Sequence, residues 1–173
     1  MRKSIAIVGL TSCVIACAPK GPKQPKLVKT HLRAAARALA RGHLDRAEAH
    51  FSVVREYAPG SARAVNGLGL VSLARGERAR AARLFRRALE LDDELAEAHN
   101  NLGVLRLRRG RVATAIARFR AALDIDPGYH QARLNLARAL HRGGAHAQSR
   151  RLLLQVTAVR PQQHTAWAAL ALV

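Results

Sequence analysis

The sequence predicts an all-α solenoid built from repeated helix pairs. Three observations carry this. Small and large residues recur in fixed order every 34 residues, which is the signature of a repeat array. Alanine, leucine and arginine dominate the composition, and all three favour helix. Segments rich in β-branched or aromatic residues, which would mark strands, are scarce, and aromatics make up only 3% of the chain. With 173 residues, the chain is long enough for one domain with a buried core.

The first element is residues 1–16. Arg2 and Lys3 precede an apolar run from Ile5 to Ala16. That run is shorter than the about 20 residues a membrane-spanning helix needs. Positive charge followed by a short apolar run is the pattern of a secretory signal. A short buried helix is the alternative. Both cysteines of the chain, Cys13 and Cys17, lie here, so none remains for a disulfide or a zinc site in the rest of the protein. "LTSC" and "VIAC" each resemble the bacterial lipobox, in which the signal is cut before a cysteine that then carries lipid. Cys17 fits better than Cys13, because polar "APKGPKQPK" follows it at once, whereas apolar "VIACA" follows Cys13. Residues 17–27 therefore read as a lipidated cysteine and a tether rich in proline and lysine. An extended Ala18–Lys26 reaches about 28 Å at about 3.1 Å per residue. By resemblance to lipoproteins, Ala18 behind the cysteine, rather than aspartate, favours the outer membrane.

Four units of 34 residues follow without a gap: 28–61, 62–95, 96–129 and 130–163. Gly42, Gly76, Gly110 and Gly144 share one column. Ala47, Ala81, Ala115 and Ser149 share another, and Phe51, Phe85, Phe119 and Leu153 a third. Ala35, Gly69, Gly103 and Ala137 form a fourth, and Pro59, Pro127 and Pro161 a fifth, in which the second unit has Asp93. Each column has a physical reading. The glycine turns between two helices, where left-handed backbone costs it little. Glycine or alanine at a close crossing lets helices approach, and phenylalanine fills the space between them. Proline ends the second helix. No unit buries its apolar face alone, so neighbours share one elongated core.

These columns closely resemble the tetratricopeptide repeat family over residues 28–163. The chain departs from the family where an aromatic usually stands late in the first helix; here the residues are Ala38, Ser72, Arg106 and Leu140. The resemblance implies a right-handed superhelix with a concave groove lined by the first helix of each unit. Residues 164–173 begin a fifth unit, a capping half-repeat in which Trp167, Leu170 and Ala171 match family columns. This cap is apolar nearly all round, so it either packs on the fourth unit or offers a docking edge.

On this resemblance, groove positions are Leu39, Leu73 and Leu107 at one level. Ala36, Leu70, Val104 and Arg138 form a second, and Leu32, Asn66, Asn100 and Leu134 a third. Leucines would bury apolar side chains of a bound segment, and asparagines would hydrogen-bond its backbone. The alternative is that the leucines contact the neighbouring unit. The family's carboxylate clamp is not expected: only Asn101, Asn135 and Arg138 are similar, and the lysine–asparagine pair of the first unit is absent.

The chain carries a formal charge of +19 with 30 basic and 11 acidic residues. Arg80, Arg83, Arg86, Arg87, Arg118, Arg120, Arg150 and Arg151 fall on second helices, giving a basic convex face. That face suits anionic lipid or an acidic protein, or is a solvated helix surface. Few aromatics are available for base stacking, which argues against nucleic acid. The eight histidines are scattered with no metal spacing and no nucleophile–base pair, and there is no phosphate-cradling loop. Neither an enzyme nor a cofactor is expected, apart from covalent lipid on Cys17. The acidic cluster from Glu90 to Glu97 lies at an inter-unit turn, where ion pairs with nearby arginines account for it.

The expectation is a lipid-anchored scaffold on the periplasmic face of the outer membrane that captures a segment of an envelope protein. Within the family the chain looks like the small repeat lipoproteins that assist type IV pilus secretins. Assembly of another envelope machine is an alternative, either outer-membrane protein insertion or cell-wall synthesis. A basic cytoplasmic protein associated with nucleic acid is a third, and requires residues 1–16 to be retained.

Overall fold

The computed structural model describes residues 24–159, 162 and 164–171. The expected signal segment, Cys13, Cys17, the tether up to residue 23 and Pro161 lie outside the described residues. Helices follow one another in pairs: α1 (Pro25–Ala40), α2 (Leu44–Tyr57), α3 (Ala62–Ala74), α4 (Arg78–Leu91), α5 (Ala96–Arg108), α6 (Val112–Ile125), α7 (His130–Arg142), α8 (His146–Val159) and a short α9 (His164–Leu170). Helices neighbouring in sequence pack together throughout, and α1 also meets α3 as α5 meets α7. The fold is an all-helical solenoid.

The tether expectation needs correction at its end. Pro25 and Lys26 belong to the first turn of α1, not to an extended segment. Proline is suited to the first helical turn, where its missing N–H costs nothing and its φ is already helical. The Val28 N–H bonds to the Gln24 carbonyl, and Val28 itself packs on the first core cluster.

Each first helix ends the same way. Gly42, Gly76, Gly110 and Gly144 have φ of 76°, 82°, 73° and 81°. The next residue's N–H reaches back to the carbonyl five residues earlier: His43 to Ala38, Glu77 to Ser72, Arg111 to Arg106 and Ala145 to Leu140. This is the Schellman ending, which satisfies carbonyls left over at a helix C-terminus and requires a left-handed residue.

The core is a chain of small clusters spread along the repeat junctions, in place of a single centre. Phe85 and Phe119 are fully buried. A Cβ built on Gly69 would stand 2.5 Å from Phe85 Cε1, and one on Gly103 would stand 2.5 Å from Phe119 Cε1. These glycines are the sockets for the phenylalanines of their own units. In the fourth unit the socket is Ala137 and the plug is the smaller Leu153. In the first unit the socket position is Ala35, in the same cluster as Phe51, and Phe51 also lies over Gly67 of the next unit, 2.2 Å from where a Cβ would be. Ser149 is buried in the small-residue column, with its hydroxyl donating to the Ala137 carbonyl at 2.7 Å.

Candidate functional site

First helices touch first helices across each repeat boundary, which places them along one side of the solenoid. Two amide bonds fix this spacing. Asn101 Nδ2 donates to Asn66 Oδ1 at 3.0 Å, joining α3 to α5. Asn135 Nδ2 donates to Asn100 Oδ1 at 2.9 Å, joining α5 to α7. The offset is 35 residues, one more than the repeat. Gln131 Nε2 extends the second link to Asn135 Oδ1. Burial raises the Tyr129 pKa above its usual value, with the Glu97 and Asp126 charges adding to this and the Asn100 bond opposing it.

The residues read as groove positions therefore divide into three groups. Asn66 and Asn100 are buried, and their carbonyl oxygens are taken by neighbouring asparagines. They hold the solenoid together and are not free amide rungs. Leu134 is also not open: it lies 1% exposed among Leu153, Val156 and Ala166, beneath α9. Leu32, Leu39, Leu70, Leu73, Val104 and Leu107 are half-buried. Leu70 and Leu73 rest on Phe85, Leu102 and Leu105, so part of each side chain contacts the next unit. Val104 and Leu107 rest in the same way on Phe119, Leu136 and Leu140. Their remaining surface is open. Ala36 and Arg138 are exposed. The Leu107 carbonyl accepts from Arg142 Nη1 at 3.3 Å.

What results is a set of half-open aliphatic side chains on α1, α3 and α5, with Arg138 exposed on α7. Such a surface can accept apolar side chains spaced along a peptide. Asn101 and Asn135, the similar members of the carboxylate clamp, are engaged in the amide links.

Some pairings went unread in the sequence. His31 and His50 meet with Nδ1 atoms 3.0 Å apart and rings nearly edge to face. His141 and His146 do the same. His99, in the His31 column, approaches Arg118 instead. Among the described residues no group of three His, Cys, Asp or Glu could hold a metal ion, and no helix is long and apolar enough to cross a membrane.

The second-helix arginines are exposed, as are the ion pairs near them. Arg75 bridges Asp45 and Glu48, both at 2.6 Å, and these hydrogen bonds, Glu48's first, raise its pKa. Arg87 pairs with Glu90 at 3.0 Å in the acidic cluster. Leu154 and Val159 on α8 and Trp167 on α9 are exposed.

Sequence models described as tetratricopeptide repeat match residues 32–94 and 72–130, and another of the same description matches residues 106–173. Among curated proteins none matches the chain. Solved structures resemble it in fold. Pseudomonas aeruginosa pilF is 21% identical with a TM-score of 0.76, covering 85% of this chain and 67% of that one. A Thermobaculum terrenum O-GlcNAc transferase mutant is 30% identical with a TM-score of 0.69, covering 80% of this chain and 27% of that one. A chain of Naa15/Naa10 bound to HypK-THB is 22% identical with a TM-score of 0.69, covering 84% of this chain and 22% of that one. The chain thus spans about a quarter of the length of the last two.

Proposed function

The chain belongs to the tetratricopeptide repeat family, and from that premise we propose that it is a non-catalytic scaffold that captures a segment of a partner protein along its first helices. The observation that carries this is that Leu39, Leu70, Leu73, Val104 and Leu107, all on first helices, each keep part of their surface open. Aliphatic surface of this kind is stabilised when a partner removes it from water. That Naa15/Naa10, of similar fold, is seen bound to HypK-THB agrees with protein binding as the use of such a solenoid.

The finer reading joins this surface to the N-terminal segment. Cys17 carries lipid, the segment behind it spaces the repeats from the membrane, and the partner is an envelope protein met on the periplasmic side of the outer membrane. One acyl chain binds a membrane marginally, so stable anchoring needs several chains or added basic contacts. The particular machine is type IV pilus secretin assembly. This rests on the resemblance of the repeat-plus-lipobox pattern to the small pilus-assisting lipoproteins; the likeness to pilF is one of fold.

The experiment is photo-crosslinking from Leu73 and Leu107 in the native cell, with the captured protein identified by mass spectrometry. Capture of a secretin or pilus component supports the full reading. Another envelope protein keeps the scaffold and replaces its partner, and cytoplasmic nucleic-acid-associated proteins overturn the envelope reading. Leu73→Glu with Leu107→Glu is expected to abolish capture while the helical signal persists. Loss of that signal would assign both leucines to the core. Cys17→Ser is expected to release the protein from the membrane fraction or block its processing, and unchanged retention moves the assignment to Cys13.

A further inference from the structure

We propose that the junction between α4 and α5 is a binding site for a phosphate group, held by Arg83, Arg86, Arg106 and Arg109. This inference is independent of the first-helix surface. The four arginines line one crevice of about 280 Å³, floored by Leu102 and Leu105. Arg83 and Arg86 lie on α4, Arg106 lies on α5, and Arg109 caps the C-terminal end of α5.

Charge is the first argument. No carboxylate lines the crevice. Among the described residues, none pairs with these four guanidinium groups, although Arg80 and Arg87 on the same α4 both have acidic partners. Four like charges over an apolar floor repel one another and call for a counter-anion. A multiply charged oxyanion offsets more of that charge than a single carboxylate does.

Shape is the second argument. Arg106 stands in the column that elsewhere holds Ala38, Ser72 and Leu140, all buried. An arginine there is half-exposed, where those three are closed off from solvent, so its guanidinium reaches the crevice edge that it lines with Arg83, Arg86 and Arg109. Arg106 also borders a second opening, with Arg111 and Arg118. Planar guanidinium forks match tetrahedral oxyanions in bidentate fashion, and each such bond is charge-assisted. The volume lies at the small end of ligand sites, which suits one phosphate group rather than a large molecule. Inorganic phosphate and the phosphate of an anionic lipid headgroup share this chemistry.

The test titrates the full chain with inorganic phosphate at an ionic strength held constant with chloride, reading backbone amide shifts. Saturable shifts confined to the α4–α5 junction are expected. Arg106→Gln should weaken binding about tenfold, the loss of one charge-assisted contact. Arg83→Gln with Arg86→Gln, both on an exposed face, should do the same without disturbing the fold, which circular dichroism checks. Arg150→Gln with Arg151→Gln should change nothing. Equal weakening by that control pair, unsaturating shifts across all arginines, or equal binding of succinate would overturn the site. Vesicles of phosphatidylcholine with and without phosphatidylglycerol distinguish the sources. A gain from phosphatidylglycerol that the Arg106 variant loses assigns the headgroup, and phosphate binding without such a gain assigns a soluble phosphate.

Discussion

Gly103 shows how much one hydrogen atom decides. Its missing Cβ is the space that Phe119 occupies, and the two residues are 16 positions apart in the same unit. Gly103→Ala forces the ring and the added methyl together. The expected loss is about 1–3 kcal/mol, as for other overpacked cores. Phe119→Leu should relieve it, since Ala137 and Leu153 form that combination in the fourth unit. Urea denaturation of both single variants and the double variant measures the coupling. Additive losses would show that Gly103 and Phe119 do not share one site. Gly76→Ala is a different matter, because nothing surrounds its Cβ position. There the cost comes from φ of 82° alone, about 1–2 kcal/mol. These socket and turn glycines were legible in the sequence because each unit demands them separately. The Phe51–Gly67 contact was not, since it crosses a repeat boundary and Ala35 holds the place where the socket was sought.

Between elements, the amide links decide which surface is available. Asn100 accepts from Asn135, so it ties α5 to α7. Asn135→Ala leaves the buried Asn100 oxygen without this donor, and the expected cost is about 1–3 kcal/mol by thermal or urea unfolding. A change within a few tenths of a kcal/mol would mean that water replaces the bond. Tyr129 adds a dependence on pH. Its folded pKa lies above the ordinary tyrosine value of 10.0, with burial the largest cause. The unfolded chain therefore gives up the phenolic proton first, and the stability associated with neutral Tyr129 is lost as pH rises past 10. Unfolding measured above that pH should show a shallower decline for Tyr129→Phe than for the natural protein. A groove was legible in the sequence only in part. Column reading treats every unit as equal, yet exposure depends on what the adjacent unit supplies. Leu134 shares a column with half-buried Leu32 but is covered by α9, and Asn66 and Asn100 meet asparagines one register further along. The 35-residue offset was present in the sequence, between columns that were read separately.

Among the described helices, the main contacts run within a repeat or between adjacent repeats, so stability is expected to be local and graded. Charge follows the same linear order. Every acidic residue lies between Asp45 and Asp126, leaving both ends of the chain purely basic. The ion-pair bridges from Arg75 and Arg80 to Asp45 and Glu48 therefore belong to the first two units. Among the described residues the fourth unit shows no such ion pair, and packing holds it. Its cluster of Leu134, Ala137, Leu153 and Val156 is completed by Ala166 of α9. Removing residues 164–173 uncovers that cluster on one side. Backbone amides of α8 should then exchange with solvent at least about tenfold faster, while those of α3 and α4 remain as slow as before, because opening one end of a solenoid costs only its own interface. Hydrogen exchange followed by mass spectrometry reads both regions in one experiment. Equal acceleration in α3 and α4 would mean that the solenoid opens as one cooperative block. In that case the substitutions at Gly103 and Asn135 would also lower protection from α1 to α8 together, not only around their own junctions.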